Sequence, residues 1–220
     1  MENQEQQRRR ETHAPERNPN PCPLYRKCGG CQLQNMSYPR QLHWKQELVE
    51  RLLFLARHDK KTLMLEMEDF DPLEVMSELH REAKMLSSEH TFALNPADNA
   101  MIHGDKGMMK QLMRILLDNA IKYTPAGGSI TLGMKNDGDT CVLSVKDTGA
   151  GIAPEELSKI FDRFYRCDEA RKSQQSGHGL GLSIARIIAA AHGGKINVRS
   201  KVGAGTTFSV IVPTIPQNKS

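Results

Sequence analysis

The sequence predicts a layered α/β domain of about 150 residues together with a smaller N-terminal appendage. Three observations lead to this class. Strand-like and helix-like segments alternate from residue 62 onward, a chain of 220 residues has room for one such domain but not for two large ones, and the first 40 residues differ in composition from the rest. The fold is therefore expected to depend on the second part of the chain.

The N-terminal appendage is polar and basic. Residues 1–40 contain seven Lys or Arg and four Glu, which supply most of the net charge of +4, and the remainder is nearly neutral. We therefore do not expect nucleic acid as a partner. Residues 1–21 contain no apolar cluster, so we expect a disordered tail. The sequence has neither a run of about 18 apolar residues nor the apolar core of a signal peptide, which predicts a cytoplasmic protein with no membrane partner.

Four elements are predicted in the first half of the chain. Apolar residues at roughly helical spacing predict a helix from Pro39 to about Lys60. Residues 62–70 read as a strand, residues 72–86 as a helix with Asp71 as its N-cap, and residues 91–94 as a second strand. This alternation indicates a layered domain.

The clearest helix spans residues 105–123, and residues 125–128 end it. Its buried stripe is expected to comprise Met108, Leu112, Ile115, Leu116 and Asn119. Asn119 is then a polar residue on an apolar face, where its amide needs hydrogen-bonding partners. Either the core or a ligand supplies them.

The second half should contain a strand, two helices and a hairpin. Residues 140–146 alternate as a strand, with Cys141, Leu143 and Val145 on one side, and carry Asp147 at their end. A short helix is expected at residues 155–162, a longer helix at 179–192, and a hairpin at 195–200 and 206–213. The longer helix is expected to bury Leu180, Ile184, Ile187, Ile188 and Ala191.

A polar stretch without periodicity, residues 165–178, separates the two helices. Loops of this length inside a compact domain usually serve a function, and we interpret this one as a lid. Gly177, Gly179 and Gly181 open the next helix, where exposed amides and the helix dipole favour an anion such as phosphate. Leu180 and Leu182 are expected to pack beneath a nucleotide.

Asp147 is the residue for which the sequence predicts the most specific role, the recognition of a base. A carboxylate held at a strand end can accept a hydrogen bond from the exocyclic amine of adenine. Gly149 and Gly151 would then allow the backbone to approach a flat base. The alternative is that Asp147 and the two residues after it mark only a tight turn, and this segment alone does not decide between the two.

Three segments, in this order and spacing, resemble the ATP-binding domain of sensor histidine kinases, in the superfamily of gyrase, heat-shock chaperones, kinases and MutL (GHKL). They are Leu116-Leu-Asp-Asn-Ala-Ile-Lys-Tyr123, Asp147-Thr-Gly-Ala-Gly-Ile152 and Gly177-His-Gly-Leu-Gly181, and the resemblance covers residues 52–213. It implies a two-layer α/β sandwich of the Bergerat type, in which helices cover a mixed, mostly antiparallel sheet.

The resemblance also implies which residues bind ATP. Asn119 would hold a magnesium ion that bridges the phosphates, Lys122 would meet phosphate, and Tyr123 would line the base or ribose. Lys122 could equally be an ordinary solvated helix residue, and Phe161 and Phe164 of the implied aromatic box would otherwise be read as core residues. The full set is Asn119, Lys122, Tyr123, Asp147, Gly149, Gly151, Ile152, Phe164, Gly177, Gly179, Leu180, Gly181, Leu182 and Thr206.

Two departures from the family pattern limit the expected activity. ATP-hydrolysing relatives carry a Glu general base four residues before the Asn, and this chain has Ile115 there, so we expect slow or absent hydrolysis. A histidine kinase also phosphorylates a His on the first helix of a dimeric hairpin, whereas residues 52–59 resemble only the end of the second helix. No phosphoacceptor is identified, and His58 is not expected to be one.

Cys22, Cys28 and Cys31 resemble a different family, through the iron–sulfur segment of bacterial 23S rRNA uracil-5-methyltransferases, over about residues 17–50. Thiolates at this spacing can converge on a soft metal centre such as a 4Fe–4S cluster. The fourth ligand is not found, because Cys141 reads as a buried strand residue and Cys167 as a lid residue. The expected outcome is a labile cluster, adventitious zinc or three thiols.

The leading hypothesis is a chimera of these two families. Its parts would be a disordered tail (1–21), a Cys-rich segment (22–50), a remnant of a dimerisation hairpin (51–61) and the ATP-binding domain (62–215). We expect a monomer or weak dimer that binds ATP with Mg²⁺ and offers the γ-phosphate to a histidine-containing dimerisation domain or response regulator in trans. The alternatives are a non-catalytic nucleotide-binding module, a fusion remnant, or a fragment of an iron–sulfur RNA methyltransferase.

Overall fold

The computed structural model describes residues 37–96, 100–167 and 178–215. The expected disordered tail, the three cysteines Cys22, Cys28 and Cys31, and Gly177 lie outside these residues. The chain divides into two compact units, residues 1–56 and 57–220. None of the helices in the described ranges is long and apolar enough to cross a membrane.

The described residues contain four α-helices and seven strands. In chain order they are α1 (Tyr38–Asp59), β1 (Glu68–Phe70), α2 (Pro72–Leu86), β2 (Thr91–Asn95), β3 (Ile102–Gly104), α3 (Lys106–Tyr123), β4 (Ser129–Asn136), β5 (Thr140–Asp147), α4 (Gly181–Ala191), β6 (Lys195–Lys201) and β7 (Gly205–Pro213).

α1 is the described part of the first unit, and its last residues belong to the second. Within the helix, Gln46 donates to Glu50 over 2.9 Å and Arg51 pairs with Glu47, both one turn apart. The helix predicted between Pro39 and Lys60 is confirmed. The helix predicted after Asp71 is also confirmed, since the Asp71 carboxylate accepts from the Leu73 amide at the start of α2.

The main sheet has five strands in the order β2-β4-β5-β7-β6. β2 and β4 run parallel, and the other neighbouring strands are antiparallel. A separate two-stranded antiparallel sheet joins β1 to β3. The mixed, mostly antiparallel sheet expected from the family resemblance is therefore confirmed, as is the hairpin of β6 and β7.

One face of the main sheet carries the core. In β5 the buried residues Cys141, Leu143 and Val145 alternate with more exposed ones, as the sequence predicts, and β4 and β7 alternate in the same way. α3 contacts α2, α4 and β5. Because the apolar side chains of helices and strands meet in one layer, the domain is a two-layer α/β sandwich.

Several element predictions are corrected by the structure. The strand predicted over residues 62–70 is limited to β1, because its partner β3 offers only three residues for pairing. The short helix predicted at residues 155–162 is a 3₁₀ turn at Pro154–Glu156 followed by further turns. β3 and β4 were not predicted. The alternation of Ile130, Leu132 and Met134 in β4 was the available signal.

Two buried stripes also differ in detail from their predictions. In α3, Met109 is fully buried where Met108 was expected, and Asn119 is only half-buried. α4 starts at Gly181 and ends at Ala191, and Ala191 is exposed because the helix ends there. These shifts are of one or two residues, which is the usual uncertainty at helix ends.

Asp105 fixes the start of α3, the helix that carries Asn119. Its carboxylate accepts from the Met108 amide over 2.9 Å, as an N-cap, and from the Glu66 amide over 3.0 Å. The Asp105 amide donates to Nε2 of the buried His192 over 2.9 Å, and His192 Nδ1 therefore donates to the Ile188 carbonyl over 2.7 Å. The start of α3 and the end of α4 are thus held together.

Candidate nucleotide-binding site

Asp147 lies at the end of β5, and only 6% of its surface is exposed. Its Oδ1 atom accepts from the backbone amides of Gly149 over 2.8 Å and Thr206 over 3.1 Å. Within the described residues, Oδ2 has no hydrogen-bond donor. Burial raises the pKa of Asp147 above its ordinary value, and the two amides lower it in part. The backbone therefore fixes this carboxylate by one oxygen and leaves the other for a ligand.

Two glycines are required where the loop after β5 meets the β6–β7 turn. A Cβ atom on Gly151, whose φ is +76°, would lie 2.2 Å from the Lys201 carbonyl oxygen. A Cβ atom on Gly205, whose φ is +104°, would lie 2.0 Å from the Asp147 carbonyl oxygen. The close neighbours are protein carbonyls, so both glycines are needed for this packing even without a base nearby.

Hydrogen bonds complete this junction. The Gly203 amide donates to the Ala150 carbonyl over 2.7 Å. The amide of Ile152, which is half-buried, donates to the Ser200 hydroxyl over 2.8 Å. Because β6 and β7 are joined in this way to the loop that follows Asp147, the glycine-containing segments 147–152 and 203–206 form one structural unit.

Three of the predicted site residues, Asn119, Lys122 and Tyr123, lie in the last turn and a half of α3. Asn119 is half-buried, and its side chain has no hydrogen bond to another described residue. Lys122 is half-buried with Nζ 5.0 Å from the centre of the Tyr123 ring, and burial raises the pKa of the Tyr123 hydroxyl. The Tyr123 carbonyl accepts from the Ala150 amide over 3.2 Å. A Cβ atom on Gly149 would lie 2.4 Å from that carbonyl oxygen, so Gly149 admits this contact.

The start of α4 packs against α3 at Ile115. A Cβ atom on Gly181 would lie 3.1 Å from Cγ2 of Ile115, which is itself buried. Leu180 is fully buried and Leu182 half-buried. No side chain caps this helix start, and the Ser183 hydroxyl instead donates back to the Leu180 carbonyl over 2.8 Å. The first amides of α4 therefore remain suited to an anion.

The two ends of the predicted lid meet at Phe164 and Gly179. The Phe164 amide donates to the Gly179 carbonyl over 2.8 Å. Phe164 is 62% exposed and has a φ of +65°, which is rare for an aromatic residue, so the reading of Phe164 as a core residue is wrong. Phe161 is half-buried and packs edge-on against Phe208, with ring centres 6.5 Å apart.

Arg163, between these two aromatic residues, forms an ion pair with Asp59 at the end of α1. Two guanidinium nitrogens contact the two carboxylate oxygens over 2.8 and 2.6 Å. The hydrogen bond from Arg163 lowers the pKa of Asp59 to about 2. The base of the lid is thus joined to the end of the N-terminal helix.

The described residues contain two cysteines, Cys141 and Cys167. Cys141 is fully buried in β5, and burial raises the pKa of its thiol to about 12. Cys167 is half-buried at the start of the lid. Over residues 37–96, 100–167 and 178–215, no group of three or more His, Cys, Asp or Glu side chains could hold a metal ion. The predicted iron–sulfur cluster stays a prediction.

The structure therefore groups the predicted site residues in three places. Asp147, Gly149, Gly151, Ile152 and Thr206 belong to the interlocked loop and hairpin. Asn119, Lys122 and Tyr123 lie at the end of α3, which contacts that loop. Gly179, Leu180, Gly181 and Leu182 form the start of α4, with Phe164 bonded to Gly179. No pattern in the sequence points to Ser200, because its contacts depend on strand pairing.

Comparison with known proteins agrees with this fold and site. Residues 104–216, just over half of the chain, match the family described as "Histidine kinase-, DNA gyrase B-, and HSP90-like ATPase". The chain belongs to this family. It is also 37% identical to the sensor protein SrrB of Staphylococcus aureus over 171 residues, which are 76% of this chain and 29% of SrrB. The chain thus spans less than a third of that relative's length.

Solved structures narrow the class further. Full-length ShkA in complex with AMPPNP is 27% identical, with a TM-score of 0.69 over 81% of this chain and 38% of ShkA. The catalytic domain of the histidine kinase ThkA is 28% identical, with a TM-score of 0.60 over 69% of this chain and 99% of that domain. ThkA has also been solved with the response regulator protein TrrA, with 25% identity and a TM-score of 0.60 over 80% of this chain and 50% of that one. The chain contains an ATP-binding catalytic domain of the sensor histidine kinase type.

Proposed function

We propose that this chain binds ATP with Mg²⁺ and supplies the γ-phosphate for transfer to a histidine that lies outside its ATP-binding domain. The observation that carries the proposal is the carboxylate of Asp147, which is buried, held through Oδ1 by two backbone amides, and left with Oδ2 for the amine of a base. ShkA, a structural neighbour, is described in complex with AMPPNP, which supports the binding of a nucleotide by this chain.

Magnesium would be held at the end of α3. Mg²⁺ prefers oxygen ligands and keeps several waters, so one amide oxygen together with phosphate oxygens suits it. Asn119 fits this role because it is half-buried on an otherwise apolar stripe and its side chain has no hydrogen bond to another described residue. When bound, the ion would offset the negative charge of the phosphates.

The phosphate would lie toward the start of α4. The uncapped amides there and the positive end of the helix dipole favour an anion. Ile115, which packs against Gly181, supplies no general base at this place. The chain is therefore proposed to hold ATP without hydrolysing it rapidly, which would preserve the γ-phosphate for an acceptor.

The proposed partners are a histidine-containing dimerisation domain and a response regulator. ThkA is described in complex with the response regulator protein TrrA, which supports a partner of this class. A monomer or weak dimer and a cytoplasmic location stay predictions.

The test is phosphoryl transfer to a separately purified dimerisation hairpin from a related sensor kinase. The chain is incubated with γ-labelled ATP and Mg²⁺, with and without the hairpin. Acid-labile, base-stable label on the hairpin is the expected result. Nucleotide binding without transfer would favour the non-catalytic binding module instead, and the absence of nucleotide binding would contradict both functions.

A further inference from the structure

Ser200, Thr206 and Asp147 form a row of polar side chains across three neighbouring strands. Ser200 of β6 is paired with Thr206 of β7, and Thr206 is one position beyond the last β7–β5 pair, Lys146 with Thr207, which places it opposite Asp147. All three lie on the core-facing side of their strands: Asp147 and Thr206 are in step with buried residues, and Ser200 is in step with the half-buried residues of β6. The row ends at Asp147, whose carboxylate is proposed to accept a hydrogen bond from the nucleotide base.

The Ser200 hydroxyl makes three contacts, and only one arrangement of hydrogens makes all three of them hydrogen bonds. It accepts from the Ile152 amide over 2.8 Å, contacts the Gly205 carbonyl oxygen over 3.1 Å, and contacts the Thr206 hydroxyl over 2.8 Å. In that arrangement the single hydrogen of Ser200 goes to Gly205, because a carbonyl oxygen can only accept. The hydrogen between the two hydroxyls then comes from Thr206.

This arrangement determines whether the Thr206 hydroxyl can donate a hydrogen bond to a ligand or only accept one. With its hydrogen committed to Ser200, the Thr206 oxygen has only lone pairs left, and the carboxylate of Asp147 likewise only accepts. Thr206 and Asp147 are both about 94% buried, so water compensates poorly for an unmatched group there. The wall formed by these two residues is therefore built entirely of acceptors.

We infer that Ser200 is a positioning residue that sets the hydrogen-bond polarity of Thr206 and thereby makes the site select a purine with an amine at position 6 over one with a carbonyl. This inference rests on the proposed binding of an adenine nucleotide. An acceptor wall matches the two hydrogens of an exocyclic amine, whereas a carbonyl oxygen in the same place meets two further acceptors.

The experiment compares ADP with IDP, which differ at purine position 6, by calorimetric titration of the full chain with Mg²⁺. The variants are Ser200→Ala, Thr206→Val and the double variant, with Ser200→Thr as the variant that keeps the hydroxyl. Ser209→Ala is the matched control, since Ser209 lies on β7 on the opposite face of the sheet. A thermal melt of each variant reports whether it is folded.

The parent chain is expected to bind ADP at least about 10-fold more tightly than IDP. Ser200→Ala should reduce this preference several-fold, because the Thr206 hydroxyl can then turn and donate to a carbonyl. The preference should stay near the parent value in Ser200→Thr and Ser209→Ala. In the Thr206→Val background, Ser200→Ala should leave the preference unchanged, because the hydroxyl through which Ser200 acts is gone.

Three results would overturn the inference while leaving nucleotide binding intact. They are equal affinity of the parent for ADP and IDP, an equal loss of both affinities in Ser200→Ala, and a Ser200→Ala effect on the preference that persists without the Thr206 hydroxyl. The second result would mean that Ser200 only supports the loop. A parent chain that binds neither nucleotide would instead contradict the proposed function itself.

Discussion

The backbone amide of Thr206 donates to Oδ1 of Asp147 over 3.1 Å, and this bond joins the start of β7 to the end of β5. Thr206 is 59 positions from Asp147 in the sequence, yet its amide holds the Asp147 carboxylate in place together with the nearby amide of Gly149. The orientation of Asp147 depends on backbone groups, so side-chain substitutions at this residue can separate its structural role from its role in binding.

Asp147→Asn should abolish most nucleotide binding without unfolding the domain. The amide oxygen of Asn can still accept from Gly149 and Thr206, but the charged acceptor for the base is lost, which predicts a loss of about 10- to 100-fold in affinity. Titration with a non-hydrolysable ATP analogue measures the effect. The melting temperature without ligand should be the same or higher, because burial raises the pKa of Asp147 and the charged form therefore destabilises the fold above that pKa. Equal affinities would contradict the assignment.

Nucleotide affinity should fall as the pH is lowered through the raised pKa of Asp147. A protonated carboxyl group is a poor acceptor for an amine, and the fall should begin at a higher pH than for an exposed Asp, because burial favours the protonated form. ADP titrations across the acidic range test this. Asp147→Asn is the control, since its residual affinity should lack this acid-dependent step.

Asn119→Ala should reduce the effect of magnesium on nucleotide affinity. Loss of one oxygen ligand is expected to weaken binding by about tenfold in the presence of Mg²⁺. Binding in EDTA should change little. The matched control is Gln111→Ala, at an exposed position earlier on the same helix. An equal loss with and without the ion would mean that Asn119 acts on the fold or the base and not on a metal.

Gly205→Ala should destabilise the domain much more than Gly203→Ala. Both residues have a positive φ, which costs an Ala about 1–2 kcal/mol. Only at Gly205 would the new Cβ meet backbone, 2.0 Å from the Asp147 carbonyl oxygen, whereas at Gly203 nothing lies within 4 Å. Overpacking should add about 1–3 kcal/mol to the free energy lost at Gly205. Urea unfolding of the two variants measures the difference, and equal losses would show that the junction can relax.

Cys141 should be unreactive in the folded protein and reactive after unfolding. Its thiol is fully buried and burial raises its pKa to about 12, so almost no thiolate exists at neutral pH. Labelling with iodoacetamide, followed by peptide mass spectrometry, distinguishes the cysteines. The half-buried Cys167 serves as the internal comparison. Native labelling of Cys141 at the rate of Cys167 would contradict the packing of β5.

The elements that the sequence predicted well are those with a strong local signal. α2 and α3 have Asp N-caps and amphipathic spacing, and β5 has strict alternation. β3 has only three residues, which are too few to show an alternation of apolar and polar residues. Residues 155–162 have the composition of a helix but form a series of turns after Pro154. The nucleotide-binding motifs could be predicted from the sequence because the segments around Asn119 and Asp147 have the residue types, the order and the spacing that are typical of the family.

The sequence by itself determined the family, strand β5, the β6–β7 hairpin and the chemistry expected of Asp147, because these follow from residue type and spacing. Only the tertiary structure decided how that carboxylate is held and what stands beside it. The pairing of β5, β7 and β6 brings the Thr206 amide to Oδ1 and places the Ser200 hydroxyl 2.8 Å from the Thr206 hydroxyl. Strand register brings distant residues within hydrogen-bond distance, and no local pattern of residues specifies which partners will meet.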